Sequence, residues 1–283
     1  MSGEALALAL GAAVLHASWN VLLAGSRDSV TATGGLLVWG VLLLAPAALL
    51  TGGVSAEAIP FIAASAAFEL VYFVLLARAY RAGELGVVYP VARGSAPVLV
   101  LIVAVLGLGM GLSALAALGV VLVAAGVLAL APTGEPRNKR NSSGEVDTRH
   151  RDVLVGLAIG ATIAGYTLVD NEGVEHADPL AYLFLITAVV AVAYCGALVA
   201  TGRGRQLRAE LSSPRTALTA AATFGSYAMV LAALELAPAA PVAAVRESSV
   251  VIAALLAWLF LGEPRRLAPA ALVAAGVAAI AYT

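Results

Sequence analysis

Long apolar runs separated by short polar stretches dominate this sequence. Each run has about 20 residues, the length that an α-helix needs to cross the hydrocarbon core of a bilayer. The pattern therefore predicts an all-α integral membrane protein with ten transmembrane helices. Their predicted ranges, in chain order, are 4–24, 30–50, 58–80, 85–107, 112–131, 153–173, 178–200, 216–237, 240–261 and 266–283.

The two halves of the chain share short sequence pieces in the same order. Leu122–Val127 reads Leu-Val-Ala-Ala-Gly-Val and recurs identically as Leu272–Val277. Upstream, Tyr72–Tyr80 precedes a helix that contains an arginine, and Tyr227–Glu235 precedes a second such helix. Three matches in one order indicate an internal duplication.

The duplication divides the chain into a first five-helix repeat (1–131), a polar linker (132–152) and a second five-helix repeat (153–283). The linker is rich in charged residues, Asn, Ser and Gly and lacks an apolar period, which is typical of a flexible connection. Because five is an odd number, the second repeat is expected to be inverted relative to the first. Inverted repeats with polar groups near the membrane midplane are typical of secondary transporters.

Composition agrees with a membrane protein. The 283 residues are 61% hydrophobic and 12% charged, with a mean hydropathy of +0.97, whereas soluble domains carry about 25% charged residues. The net charge of −1 gives no reason to expect a nucleic-acid partner. The single cysteine, Cys195, cannot form an intramolecular disulfide, and the three histidines lack metal-ligand spacing. Neither a metal nor another cofactor is expected.

Basic residues predict the orientation. Arg93 and Arg246 lie inside predicted helices, and the other fourteen of the sixteen Lys and Arg residues lie in alternate loops. The positive-inside rule makes these loops cytoplasmic and places both termini outside. The linker carries five of them, and the polar loop Gly202–Arg215 carries four, where they would contact lipid head groups.

Two arginines inside apolar runs are the main candidates for function. Arg93 lies in Tyr89–Pro97 and Arg246 in Val242–Val250. A charge in hydrocarbon costs about 2.5 kcal/mol or more, so each arginine should face protein or water. We expect the two to line one central cavity and to hold an anionic or zwitterionic substrate, because a guanidinium binds a carboxylate through two parallel hydrogen bonds. The alternative is a structural ion pair that only joins helices.

Acidic residues lie at similar depth. Glu69 is the expected counter-charge of Arg93, and it shares a helix face with Tyr72. Glu247 follows Arg246 directly, so it should point toward a different neighbour. Either carboxylate could hold an arginine in the empty site or carry a coupling proton.

Further polar and aromatic residues complete the candidate site. In the first helix, Asn20 could pack against a neighbouring helix or line the cavity, and these alternatives stay open. In the sixth helix, Tyr166 and Asp170 share one face, although Asp170 could instead be an interfacial cap near the helix end. The predicted substrate-binding residues are Trp19, Asn20, Glu69, Tyr72, Tyr89, Arg93, Tyr166, Tyr227, Arg246 and Glu247. The predicted proton-coupling candidates are His16, Glu69, Asp170 and Glu247.

Other protein classes have less support. The sequence contains no glycine-rich phosphate loop and no nucleophile elbow, so no enzyme activity is predicted. A membrane enzyme acting on a lipid-linked substrate would need a cluster of catalytic or metal-binding residues. The only candidates are Asp170, Glu172, Glu175, His176 and Asp178, and their spacing is not that of a metal-binding motif. A non-transporting structural subunit would not need charges deep in two matching helices. Small residues at close spacing, Gly156 and Gly160 with Gly119 and Gly126, predict close helix packing.

Several motifs resemble the EamA family of the drug/metabolite transporter superfamily. They are His16–Asn20, Leu75–Tyr80, Val88–Gly94, Tyr166–Asp170, Arg246–Ser249 and Leu261–Glu263. The resemblance implies ten helices in two inverted repeats, a central cavity, alternating access and transport of small metabolites such as amino acids, often outward. It further implies a multi-pass protein of the cell inner (plasma) membrane, with a small-molecule substrate and a possible coupling proton; monomer and homodimer stay open.

Two positions depart from the family pattern. The Gly-Glu pair kept at Gly262-Glu263 is Gly107-Leu108 in the first repeat, and Ala24 lies where a lysine is expected. The resemblance also implies that some relatives keep both termini cytoplasmic, which conflicts with the orientation predicted from charge.

Overall fold

The computed structural model of this protein describes most of the chain. The described residues are 1–24, 26, 28–51, 53–82, 85–109, 111–129, 145–252, 255 and 267–283. The first part of the predicted linker, 132–144, and the Leu261–Glu263 motif lie outside them.

Eleven α-helices account for most of the described residues. They are α1 (Gly3–Ala24), α2 (Ser29–Leu50), α3 (Ile59–Ala82), α4 (Leu85–Ile102), α5 (Ala114–Ala129), α6 (Glu145–Gly173), α7 (Pro179–Ala200), α8 (Gly204–Leu211), α9 (Pro214–Leu234), α10 (Ala239–Arg246) and α11 (Leu267–Ala281). A 3₁₀ turn, Ala56–Ala58, precedes α3, and a π-helical turn, Val103–Gly107, ends α4.

Local sequence explains where several helices begin. The Asp28 carboxylate accepts a hydrogen bond from the Val30 N–H (3.1 Å), and the Asp178 carboxylate accepts one from the Leu180 N–H (2.9 Å). Both side chains cap helix N-termini whose first amides have no partner within the helix. Pro179 and Pro214 occupy first helical positions, where the missing N–H costs nothing.

Six of these helices are long and apolar enough to span a membrane, judged by length and composition among the described residues. They are Ser29–Leu50, Ala56–Ala79, Val88–Gly107, Arg151–Gly173, Pro179–Ala200 and Pro214–Leu234. Ala114–Ala129 and Ala268–Ala281 are shorter apolar helices. A helix satisfies its own backbone hydrogen bonds, which a bilayer requires. The predicted all-helical membrane class is confirmed, whereas the ten-helix inverted repeat stays a prediction.

The observed boundaries differ from the predicted ones in three places. Helix α6 begins at Glu145, so the last eight residues of the predicted linker are helical. The loop Gly202–Arg215 contains α8, a short amphipathic helix that buries only Leu207. The ninth predicted helix is interrupted, because α10 ends at Arg246 and helical backbone resumes at 248–252.

Glycines allow the helices to approach closely, as predicted. A Cβ atom added at Gly119 of α5 would lie 2.7 Å from the Gly276 carbonyl oxygen of α11, and one at Gly276 would lie 2.6 Å from the Gly119 oxygen. A Cβ at Gly156 of α6 would lie 2.9 Å from the Val88 oxygen of α4. Such distances exclude any side chain at these contacts, which is the usual role of small residues in membrane bundles.

Two loops meet at one end of the bundle. Val54 and Ala177 form an isolated antiparallel β-bridge between the α2–α3 and α6–α7 connections. His176 supports this contact, since its ring stacks on Phe61 at a centroid distance of 5.6 Å and its Nδ1 lies 3.4 Å from Glu57 Oε2.

Candidate functional site

Three buried charged side chains form a cluster between α4 and α10, here called the arginine cluster: Arg93, Arg246 and Glu247. Arg93 is 3% exposed, and its Nε atom lies 2.9 Å from Glu247 Oε2, off the direction of the N–H bond. Arg93 Nη2 donates a hydrogen bond to Ser249 Oγ at 3.2 Å. The predicted pairing of Arg93 with Glu69 is therefore wrong, because Glu247 occupies the position of its counter-charge.

The interruption after α10 explains how neighbouring residues face different ways. Glu247 is the C-cap of α10, and its N–H bonds to the Ala244 carbonyl at 3.0 Å. The turn directs the Glu247 carboxylate to Arg93 of α4, while Arg246 borders a cavity. The prediction that Glu247 points to another neighbour is confirmed by its contact with Arg93, although Glu247 Oε1 also lies 3.9 Å from Arg246 Nη2.

Arg246 has few polar partners. It is 3% exposed, and its Nε and Nη2 atoms make no hydrogen bond within the described part of the chain. Its nearest anionic atom there is Glu247 Oε1, at 3.9 Å. Since buried polar groups in proteins are nearly always hydrogen-bonded, this guanidinium has N–H groups left for a ligand or for water.

A cavity at the centre of the bundle lies beside Arg246. Its volume, taken as the space that the centre of a water-sized sphere can occupy, is about 50 Å³. One water molecule needs about 10–15 Å³ of such space, so the cavity has room for a few waters. It is lined by His16, Trp19, Glu69, Tyr72, Phe73, Tyr166, Thr223, Phe224, Ser226, Tyr227, Val230 and Arg246.

A second, smaller cavity shares His16 and Tyr72 with the first and measures about 10 Å³ on the same scale. Arg93 and Tyr89 line it, and the Arg93 Cζ atom lies 6.0 Å from the centre of the Tyr89 ring. The two arginines thus border neighbouring cavities separated by shared side chains.

Aromatic side chains form much of the cavity wall. Tyr72, Tyr166 and Tyr227 make successive edge-to-face contacts with centroid distances of 6.0 and 5.7 Å. Trp19 Nε1 donates to His16 Nδ1 at 3.2 Å. Ring faces and hydroxyl groups from α1, α3, α6 and α9 therefore meet around one space, a combination that suits a ligand with both apolar and charged parts.

Asp170 has hydrogen-bond partners that the sequence did not indicate. It is fully buried, and α6 continues to Gly173, so it is not an interfacial cap. One carboxylate oxygen accepts a hydrogen bond from the Tyr182 hydroxyl at 3.0 Å, and the other accepts one from the Tyr227 hydroxyl. These bonds join α6 to α7 and α9, and they place Asp170 behind the cavity wall.

The structure brings most of the predicted site residues together. Seven line the first cavity: His16, Trp19, Glu69, Tyr72, Tyr166, Tyr227 and Arg246. Tyr89 and Arg93 line the second, and Glu247 lies between the arginines. Asn20 does not line either cavity; its side-chain amide donates to the His16 carbonyl within α1 at 2.8 Å.

Sequence reasoning missed several residues that line or support the cavities. Ser249 accepts the Arg93 hydrogen bond, and Thr223, Ser226 and Phe73 lie on the first cavity's wall. Thr223 and Ser226 precede Tyr227 by four residues and one residue in α9. The sequence feature that could have identified them is their polarity in an otherwise apolar helix. Ser249 was visible only as a member of the Arg246–Ser249 motif.

Buried charges surrounded by aromatic rings, at the centre of a bundle of apolar helices, define a multi-pass membrane protein with a polar interior. Residues 151–283 match the model of the EamA-like transporter family. This second part of the chain therefore resembles the EamA family of the drug/metabolite transporter superfamily, as its motifs indicated, and members of that family are membrane transporters.

The fold is shared with a protein of known structure. One solved structure, described only as a crystal structure of a protein, superposes with a TM-score of 0.74 at 14% sequence identity, over 99% of this chain and 96% of the other. At this identity the likeness establishes the fold alone. No curated protein matches the sequence significantly.

Proposed function

We propose that this protein is a secondary transporter that exports small polar metabolites carrying a carboxylate, such as amino acids or related compounds. Transport would proceed by alternating access through the central cavity, with ten helices arranged as two inverted five-helix repeats (1–131 and 153–283). The protein would reside in the inner (plasma) membrane. The observation that carries the proposal is Arg246, a buried guanidinium on the cavity wall with N–H groups that have no hydrogen-bond partner in the described chain.

The charges of the arginine cluster suit a ligand with one negative group. Its two guanidinium groups carry two positive charges, and Glu247 supplies one negative charge. A substrate carboxylate that binds Arg246 would balance the remaining charge and satisfy the two orphaned donors. Glu247 would hold the cluster together while the site is empty.

The wall of the same cavity also suits a positive group. Glu69 lies on the wall together with Tyr72, Tyr166 and Trp19. An ammonium group is attracted both to a carboxylate and to aromatic ring faces. A zwitterion would therefore find both complementary charges on the wall of one cavity.

Helix contacts support the inverted repeat. If α1–α5 correspond to α6, α7, α9, α10 and α11, each contact should have a matching contact in the other half. The contact of α1 with α9 matches that of α6 with α3, and α2 with α9 matches α7 with α3. The contact of α4 with α6 matches that of α10 with α1, while the α2–α7 and α5–α11 pairs match themselves. This reciprocity is expected of two related five-helix units.

The test compares lysine substitutions of the two arginines in purified protein reconstituted into vesicles. Lysine keeps the charge but cannot form the two parallel hydrogen bonds of a guanidinium. Binding of each L-amino acid is screened by thermal shift, and transport of those that bind is measured in the vesicles. Arg246→Lys should weaken the apparent affinity about tenfold or more, equivalent to about 1.4 kcal/mol. If Arg93→Lys and Arg246→Lys both fold and transport with unchanged affinity, the arginines are not the binding groups.

The orientation has its own test. The linker carries five basic residues, so we expect it to be cytoplasmic, with both termini outside. A cysteine at Ser142, introduced into a Cys195→Ser background, should react with an impermeant maleimide only after the cells are opened. Rapid labelling in intact cells would show that the linker is outside, which contradicts the predicted orientation.

A further inference from the structure

The buried acidic residues fall into two groups with different surroundings. Glu247 is paired with arginine, as described above. Glu69 and Asp170 are 6% and 0% exposed, and no Lys, Arg or His nitrogen lies within 4.0 Å of either carboxylate in the described part of the chain. We call these two residues the acidic pair, because both lie where α3, α6 and α9 meet.

The groups that face the acidic pair are mainly phenols. Tyr182 of α7 and Tyr227 of α9 donate to Asp170, while Tyr166 of α6 and Tyr72 of α3 line the wall beside Glu69. Arg246 of α10 and His16 of α1 border the same cavity as Glu69. Phenols can donate hydrogen bonds to a carboxylate, but they do not neutralise its charge.

Neither basic neighbour is available as a counter-charge. His16 Nδ1 accepts a hydrogen bond from Trp19 Nε1, so that nitrogen carries no proton and the imidazole is neutral in this arrangement. Arg246 is the proposed partner of the substrate carboxylate. No Arg246 nitrogen lies within 4.0 Å of either carboxylate of the acidic pair, so the pair has no contacting cation while the substrate site is empty.

We propose that Glu69 and Asp170 form the site that binds the coupling proton, separate from the arginine cluster. An ionised carboxylate inside a membrane protein without a cation is costly, and binding a proton removes that cost. Glu69 is the entry point because it lines the cavity, and Asp170 is the inner site behind it. This inference rests on the proposed transport function and names its coupling ion.

Tyr227 connects the inner site to the cavity. With Asp170 ionised, the Tyr227 hydroxyl donates to the carboxylate and cannot donate to a ligand. When Asp170 is protonated, the new carboxyl O–H donates to the Tyr227 oxygen, and the Tyr227 O–H turns toward the cavity. No proton is lost in this exchange of donor and acceptor, and the donors presented to substrate change with the protonation of Asp170.

The proton and a positively charged substrate group compete for the same carboxylates. An ammonium group that binds Glu69 replaces the proton there, so loading substrate releases the proton. The two would then move in opposite directions, and a proton gradient directed into the cell would drive export.

The first experiment needs no substrate. Infrared difference spectra of the reconstituted full-length protein, recorded between alkaline and acidic pH, should contain the carbonyl stretch of a protonated carboxyl group in an apolar environment. Asp170→Asn and Glu69→Gln should each lose part of this band. Glu175→Gln, which changes an exposed carboxylate just beyond the end of the same helix, should leave it unchanged. A band that is absent, or identical in all three variants, would overturn the proposal.

Tyr227→Phe provides a second test in case the Asp170→Asn variant does not fold. It keeps the ring and removes the hydroxyl, so the carboxyl band should remain but shift in frequency because Asp170 loses a hydrogen-bond partner. A spectrum identical to that of the unchanged protein would contradict the link between Tyr227 and Asp170.

The second experiment tests coupling in vesicles, with a labelled mixture of L-amino acids as the probe. An opposing pH gradient should raise accumulation, and an equal sodium gradient should not. Asp170→Asn should lower the ratio of gradient-driven accumulation to amino-acid exchange, and Glu175→Gln should not. A titrating band without amino-acid transport would refute the proposed substrate alone. Transport that ignores the pH gradient, or follows sodium, would refute the proton site alone.

Discussion

Arg93 and Arg246 occupy matching places in the sequence but different surroundings in the fold. Arg93 lies beside Glu247 at 2.9 Å, donates to Ser249 at 3.2 Å and lies 6.0 Å from the Tyr89 ring centre. Arg246 lies 3.9 Å from its nearest carboxylate oxygen in the described chain, and two of its nitrogen atoms make no hydrogen bond there. The first arginine is held by protein groups, whereas the second faces the larger cavity.

The difference teaches how two arginines in similar sequence positions can have different tasks. A buried guanidinium that lies against a carboxylate and donates to a serine, as Arg93 does, contributes to helix association and has less left to offer a ligand. A buried guanidinium with free donors is costly to keep in the absence of a ligand, and such groups in membranes usually mark a pathway. Under the proposed function, we therefore expect a structural task mainly for Arg93 and a ligand-binding task mainly for Arg246.

The largest expected effect comes from removing each guanidinium in turn. Arg93→Gln leaves Glu247 without its nearest cation, and breaking a buried pair in this way costs about 3–5 kcal/mol. Arg246→Gln keeps the Arg93–Glu247 contact, so its cost should be clearly smaller. Unfolding midpoints of the purified proteins, at matched detergent concentration, measure both. Equal losses for the two variants would break the comparison.

A smaller effect is expected from the serine that supports Arg93. Ser249→Ala removes the acceptor of the Arg93 Nη2 hydrogen bond, and hydrogen bonds to charged groups contribute about 1.5 kcal/mol or more. Ser248→Ala is the matched control, because the Ser248 hydroxyl donates to the Val245 carbonyl one turn earlier and not to Arg93. The comparison would be weakened if both alanine variants unfolded at the same temperature.

The smallest effect is expected from the Tyr89 ring. Tyr89→Leu removes an aromatic face that lies 6.0 Å from the Arg93 Cζ atom, the outer limit of a cation–π contact, so the loss should be about 0.5 kcal/mol. Tyr89→Phe keeps the ring and should retain most of that energy. Denaturant midpoints distinguish them, and a large loss in the phenylalanine variant would mean that the Tyr89 hydroxyl matters more than its ring.

The sequence alone predicted the class of the protein and most of the charged and aromatic residues that line the two cavities. Apolar run length predicted helices because a bilayer demands internally satisfied backbone, and that requirement is local. Arg93, Arg246, Glu69 and Tyr227 were recognisable because a charged or polar residue in an apolar run is costly wherever the helix lies. The family motifs pointed to the same class.

Only the tertiary structure decided which groups meet. Arg93 was paired with Glu69 by type and depth, but the turn after α10 brings Glu247 to it instead. From the sequence, Asp170 could have been a helix cap. In the structure, the hydroxyls of Tyr182 in α7 and Tyr227 in α9 donate to its carboxylate instead. Pairing depends on how helices rotate and pack against each other, and helical periodicity specifies which residues share a face but not which neighbour that face will touch.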